Sequence, residues 1–309
     1  MKRLVSIIAV VTVLGLTNAW AEGNAVNNSG VRYIKSPRFA RPLIEKWIEE
    51  YAKTEPGVEF QIVKGSANKE NIDLNVVFDN HDNSKNFSHV VYFGETAVLP
   101  ITARSSEAAR LLEGKHLNSK KLKQLFFLND DFDEDVKKIK LFEKLVIYSG
   151  SNASSVAASF AHNFGEESSS FRGKRISGDD LFLNTALSKD PLGVSFNTLP
   201  NIFDLKSRHL KDNLSLIGLD LKKDLATSFS DNGSLDDVLN ILENGKISEV
   251  TIEKVGVSYN QADDAVNQFL QWVLDNGIKY NHEYGLLHLD SKEANAQLDK
   301  VKTVLTAQK

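Results

Sequence analysis

The stretch from Leu145 to Phe164, LVIYSGSNASSVAASFAHNF, restricts how this chain can fold more than any other part of it. Four apolar or aromatic residues run into a cluster of serine, glycine and asparagine, and the spacing beyond turns helical, so a strand ends in a loop that opens a helix. Such a loop aims backbone amides and serine hydroxyls at one point, which is the geometry of an anion site. The candidate contacts are Ser149, Gly150, Ser151, Ser154 and Ser155. Plain helix capping by the same serines is the competing reading.

The amino terminus indicates the compartment. Lys2 and Arg3 precede an apolar run from Leu4 to Leu16, and Ala19-Trp20-Ala21 forms an A-x-A cleavage site before Glu22, so residues 1-21 read as a signal peptide. The run is shorter than the roughly 20 residues that span a bilayer. No cysteine follows it to carry a lipid, so the expected product is periplasmic and soluble. Losing Lys2 and Arg3 removes two positive charges and takes the formal charge from −4 to −6. There is no basic stripe with interleaved aromatics, so nucleic acid is not an expected partner. Without cysteine, stability must come from burial rather than disulfides. The roughly 288 residues left after the leader exceed one core of ordinary size, which favours two lobes.

Short β-type runs alternate with helical ones along the mature chain. Ser36 can cap a helix with Pro37 at its first position, because Phe39, Leu43, Ile44, Trp47, Ile48 and Tyr51 recur at helical spacing. Strands are expected over 58-63, 73-78, 88-103, 145-148, 193-197 and 214-219. Helices are expected over 105-113, 119-127, 153-164, 177-188, 235-243, 263-276 and 291-305. Residues 79-86 and 130-140 read as solvated loops. This alternation argues for α/β layers with mostly parallel sheets.

Chemistry-bearing motifs narrow the function by exclusion. The sequence lacks H-E-x-x-H, G-x-S-x-G and G-x-x-x-x-G-K-[ST], and its seven histidines are scattered without metal spacing. Neither a metal nor a cofactor is expected. The adjacent pairs Asp130-Asp131, Asp179-Asp180 and Asp236-Asp237 diverge on a turn or helix and do not read as acid/base pairs. The chain is not expected to be an enzyme.

The order of pieces resembles the periplasmic phosphate-binding proteins of ABC uptake systems, which are class II periplasmic substrate-binding proteins. The pieces are Ser36-Pro37-Arg38-Phe39 with its helix, the turn Lys64-Gly65-Ser66-Ala67-Asn68 and the run Val98-Leu99-Pro100-Ile101. They continue with the helix ending at Phe127, the serine loop with Phe160, the turn Pro191-Leu192-Gly193-Val194-Ser195-Phe196, and Phe269-Leu270-Gln271-Trp272-Val273-Leu274 before Gly277, Tyr280 and Tyr284-Gly285. The resemblance implies two α/β lobes with a ligand cleft between them: residues 22-100 plus 200-309 as lobe one and 101-199 as lobe two. The lobes would be joined by crossing strands near Leu99 to Ala103 and Ser195 to Pro200. It implies a monomer that closes by hinge motion on phosphate or a related oxyanion and delivers it to an ABC permease.

Ser36 and Arg38 at the first helix start and Gly65 and Ser66 at the second turn would join the serine loop in the cleft. Many short neutral donors suit a tetrahedral oxyanion, and an arginine can add a bidentate contact. Two departures bear on the ligand. No arginine lies between Leu145 and Asn152, where the family carries one, and Ser154-Ser155-Val156 stands where the family has serine-glycine-threonine. The family's aspartate has Asp73 or Asp79 as its nearest equivalent. The ligand is thus phosphate held by neutral donors, another oxyanion, or none, the last being an envelope interaction protein on the same fold. Secreted protein is expected to begin at Glu22, which amino-terminal sequencing checks; an uncleaved Met1 would contradict the leader reading.

Overall fold

The computed structural model describes residues 30–63, 72–79, 88–128, 139–152 and 155–307. The loops expected at 79-86 and 130-140 lie largely outside them. The strands are β1 (Arg32–Lys35), β2 (Phe60–Ile62), β3 (Leu74–Phe78), β4 (His89–Ala103), β5 (Val146–Gly150), β6 (Lys174–Ile176), β7 (Gly193–Thr198), β8 (Leu214–Leu216) and β9 (Thr251–Tyr259). The helices are α1 (Arg41–Thr54), α2 (Glu107–Leu112), α3 (Ser119–Phe126), α4 (Ala157–Asn163), α5 (Leu181–Leu187), α6 (Leu199–Ile202), α7 (Lys223–Ala226), α8 (Leu235–Asn244), α9 (Asp264–Trp272) and α10 (Ser291–Ala307).

The strands form one mixed sheet ordered β2-β1-β3-β9-β4-β7-β5-β6, with β8 beside β4. Parallel pairs gather toward the two ends, β1 with β2 and β3, and β5 with β6 and β7. The middle is antiparallel, as β9 pairs with β3 and β4, and β4 also pairs with β7 and β8. Two α/β halves therefore share a central antiparallel seam. β9 is absent from the sequence-based expectation, although Thr251, Ile252, Val255, Val257 and Tyr259 carry an ordinary strand signal.

β4 ties the halves together. It follows β9 from His89 to Val98, then runs beside β7 from Val98 to Thr102 and beside β8 from Ile101 to Ala103. Pro100, which has no N–H to donate, sits where β4 passes from β9 to β8. The two segments expected to cross between lobes lie side by side here, Leu99 opposite Asn197 and Ile101 opposite Ser195.

Helix α1 starts later than its sequence suggests. Residues 37-40 form turns, with Ala40 N–H donating to Pro37 O and Arg41 N–H to Arg38 O at 3.3 Å each, and Pro42 stands in the first helical turn. The Ser36 hydroxyl donates to Pro37 O instead of capping. The apolar stripe is as expected, with Leu43, Ile44, Trp47 and Tyr51 buried. Trp47 Nε1 donates to Gly277 O at 2.8 Å and packs edge-on to Phe93.

A phenylalanine stack fixes α4 on the other half. Phe160 lies parallel to Phe196 of β7 with ring centroids 4.1 Å apart, and Phe126, Phe127 and Phe171 close around it. Phe160 and Phe196 are both fully buried. The stack sets the depth at which α4 begins relative to β5 and β7. Phe160→Ala should destabilise the protein by about 3–5 kcal/mol in denaturant unfolding; a loss under about 1 kcal/mol would contradict this packing.

Candidate functional site

Strand β5 ends at Gly150, and the chain then turns tightly. Ser155 N–H donates to Asn152 O at 2.9 Å, and the Ser155 hydroxyl accepts from Ala157 N–H at 3.1 Å. The serine loop thus folds as a strand-to-helix turn. What its donors face is the chain itself: Asp180, one residue before α5, puts Oδ1 2.6 Å from the Ser155 hydroxyl and Oδ2 2.9 Å from Val156 N–H. A carboxylate of the chain thus takes both of these donors.

Gly150 is required by this closeness. A Cβ there would lie 2.0 Å from Ser155 Oγ and 2.7 Å from Asp180 Oδ1. The loop is also zipped to the segment ahead of α5. Ser151 N–H and hydroxyl both donate to Ile176 O, at 3.0 and 3.2 Å, and Asn152 Nδ2 donates to Gly178 O at 2.9 Å.

Behind Asp180 stands a network of buried amides. Asn197 on β7 donates through Nδ2 to Asp180 O at 2.8 Å and to Asn184 Oδ1 at 3.0 Å, and Asn201 Nδ2 donates to Asn197 Oδ1 at 2.8 Å. Each buried amide finds partners, which keeps the network rigid. The segment that carries Asp180 is thereby anchored to β7.

Asp179 reaches the opposite way. Its Oδ1 accepts from Leu181 N–H at 2.9 Å and its Oδ2 from Arg38 N–H at 3.2 Å. The Arg38 guanidinium carbon stands 5.4 Å from the ring centre of Phe182, which is itself exposed. The start of α1, the start of α5 and the turn into α4 therefore converge. The amide that Ser36 would have capped is the one Asp179 takes.

Of the sequence-predicted residues, Ser155 and Gly150 form this turn, and Arg38 joins it through its backbone and its stacked guanidinium. Ser36 is buried and bonded to its own neighbour, Ser151 is exposed, and Ser149 is fully buried on β5 with a hydroxyl that has no hydrogen-bond partner. Gly65, Ser66 and Ser154 lie outside the described residues. Asp73 and Asp79 are engaged elsewhere, Asp73 accepting from Tyr33 N–H at 2.7 Å and Asp79 from the Tyr92 hydroxyl at 2.5 Å. Sequence reasoning missed Asp180. Its signal was an acidic pair directly before an apolar helical run, and only the fold brings that pair to Ser155.

Burial pushes the Asp180 carboxyl up to about 6, against the opposing pull of the Ser155 hydroxyl and Val156 N–H. Burial likewise pushes Glu253 on β9 up to about 7. No sequence-family profile matches the chain, and no curated protein matches it. Solved structures do. A putative phosphate ABC transporter substrate-binding protein from Clostridium perfringens, solved with bound phosphate, superposes with a TM-score of 0.58 at 12% identity, covering 84% of this chain and 100% of that one. An ABC-type phosphate transport receptor from Vibrio cholerae gives 0.53 at 11% identity, with 84% and 100% covered. The fold is periplasmic-binding-protein-like. The segment that leads into α5 lies against β7, where Asn197 holds the Asp180 carbonyl.

Raised carboxyls make stability fall with pH. Asp180 binds its proton more tightly folded than unfolded, so its contribution is complete below its ordinary value of 3.8 and is lost as pH rises through about 6. On the order of 3 kcal/mol is at stake for this group. Denaturant unfolding is expected to show lower stability at pH 8 than at pH 5, with a shallower dependence in Asp180→Asn. An equal slope in the variant would contradict the assignment.

Proposed function

We propose that this chain is an exported, periplasmic, non-enzymatic solute-binding protein that captures phosphate or a related oxyanion between two lobes and hands it, as a monomer, to an ABC permease. The observation that carries this reading is the meeting of donors from two segments, the Ser155 hydroxyl and Val156 N–H of the turn into α4 and Arg38 N–H ahead of α1, at the adjacent carboxylates Asp180 and Asp179 before α5. Likeness to the two phosphate-transport structures supports the same reading. The lobes we propose are residues 22-100 plus 200-309 and residues 101-199, hinged where β4 and β7 run together. Gly65, Ser66 and Ser154 complete the proposed ligand set.

Asp180 decides what kind of oxyanion fits. A carboxylate at the donors repels a fully ionised tetrahedral anion but accepts a hydrogen bond from one that still carries an O–H. Asp179 adds a second negative charge nearby. Phosphate at mildly acid pH has both the lower charge and the extra donor. Sulfate has neither. No side-chain cation replaces the family's missing arginine on the serine loop, so the affinity depends on hydroxyls, amides and the protonation of Asp180.

The same carboxylates favour one other reading. Asp179 and Asp180 already satisfy Arg38 N–H, Val156 N–H and the Ser155 hydroxyl, so the cleft can be held shut by the chain alone, and the protein then serves as an envelope interaction partner. Isothermal titration of the mature chain, stripped of ligand by partial unfolding, separates the two. Capture predicts saturable one-site phosphate binding, tighter at pH 5.5 than at pH 8, and a sulfate affinity raised about tenfold in Asp180→Asn by removal of a like charge. No saturable heat with phosphate, sulfate or molybdate in either protein would overturn capture and leave the self-closed reading.

A further inference from the structure

Three side chains with metal-ligand chemistry meet between α8 and the turns that precede α10, in a cluster that shares no residue with the cleft. Glu243 lies in the last turn of α8, His282 opens the short turn His282–Tyr284, and His288 follows it. His282 Nε2 stands 2.7 Å from Glu243 Oε1, and His288 Nδ1 stands 3.0 Å from the same oxygen. The ligand atoms all lie within 4.8 Å of one another. The two imidazole rings are 4.4 Å apart and tilted by 43°.

The sequence hides this group. The two histidines match no H-E-x-x-H spacing, and Glu243 stands 39 residues before His282. Spacing along the chain separates the histidines, whereas the fold brings His282 and His288 together at Glu243.

The cluster is crowded as a purely protein arrangement. Glu243 Oε1 also receives His288 N–H at 2.7 Å, so one oxygen with two lone pairs faces three nitrogen donors. A divalent cation between the rings and the carboxylate removes the conflict, because both imidazoles then coordinate as neutral ligands. Tetrahedral zinc at about 2.0–2.1 Å from each ligand sets them about 3.3 Å apart, against 2.7 and 3.0 Å from the two imidazole nitrogens to Glu243 Oε1 and a spread within 4.8 Å overall, so side-chain adjustments of roughly 0.5 to 1.5 Å seat the ion.

The backbone around the two histidines is also held from behind. Arg208 donates to the carbonyls of His282 and Glu283 at 2.8 and 3.0 Å and pairs with Asp236 in the first turn of α8 at 2.6 Å. Leu287 exchanges both backbone hydrogen bonds with Glu95. Asn281 is fully buried and donates to Phe93 O at 2.9 Å, and Gly285 supplies the left-handed backbone, φ 74°, that returns the chain toward His288. The backbone of the site is therefore pre-arranged rather than assembled by the metal.

We propose that Glu243, His282 and His288 form a zinc site that staples α8 to the carboxyl-terminal turns. Two imidazoles and one carboxylate suit zinc and related borderline cations and disfavour magnesium and calcium, which take oxygen ligands. The side chains are 25% to 39% exposed, which leaves an entry path and a fourth position for water. This assignment does not depend on what the cleft captures.

The test uses the tag-free mature chain after chelator treatment. Titration with zinc chloride against a chromophoric chelator should give one saturable equivalent. The melting temperature should rise with zinc, fall back with EDTA, and not respond to magnesium or calcium. His288→Gln should weaken zinc at least about tenfold, and His282→Gln with His288→Gln should abolish binding while the metal-free melt stays unchanged. X-ray absorption at the zinc edge of the loaded wild-type protein should show two imidazoles, a readout independent of the variants. Absence of saturable binding, an undiminished equivalent in the double variant, or a zinc shell without imidazole would each overturn the site.

Discussion

The arrangement at the turn into α4 depends on where the Asp180 carboxylate sits. It takes the Ser155 hydroxyl and Val156 N–H, the two donors that the turn into α4 offers most directly. A buried carboxylate in such a place is tolerable only because it is hydrogen-bonded, and it still titrates late because water is excluded. The donors of this turn are thereby taken by a carboxylate of the protein itself. Under the proposed capture, an external oxyanion shares the turn with that group or displaces it.

The fold holds this arrangement from two sides. From within, Phe160 stacked on Phe196 sets the height of α4, and the Asn197 amide fixes the backbone of Asp180 to β7. Arg38 N–H meets Asp179, so the α1 turn is tied to the α5 start. That tie is a single exposed hydrogen bond and a cation over an exposed ring. It is weak enough to open, unlike the buried amides behind it.

Much of the architecture was legible in the sequence. The strand into Ser149 and Gly150, the long run from His89 to Ala103 and the buried stripe of α1 follow from periodicity, because their apolar spacing has no second interpretation. β9 was missed although its residues favour strands, since the turn that precedes it, closed by Val250 N–H on Ile247 O, is built without the glycine or proline that marks turns in a sequence. The start of α1 was placed at Ser36 because the Ser-Pro pair imitates a cap. The helix begins beyond it, with turns over Pro37 to Arg41 and Pro42 in the first helical turn, while Arg38 N–H goes to Asp179, far away in sequence. The candidate site was legible as donors and illegible as acceptors: serines and glycine announce a loop, whereas an aspartate before a helix looks like an ordinary cap until the fold turns it toward Ser155. Likewise Glu243, His282 and His288 become a group only through the packing of α8 against the final turns.

The most direct test of this account is the titration of the Asp180 side-chain carboxyl, followed by carbon-detected NMR in the protein without added oxyanion. Occupation of the α4 donors by a buried carboxylate predicts a midpoint near 6, moving when phosphate is added. A midpoint at the ordinary aspartate value of about 4, unmoved by phosphate, would contradict it.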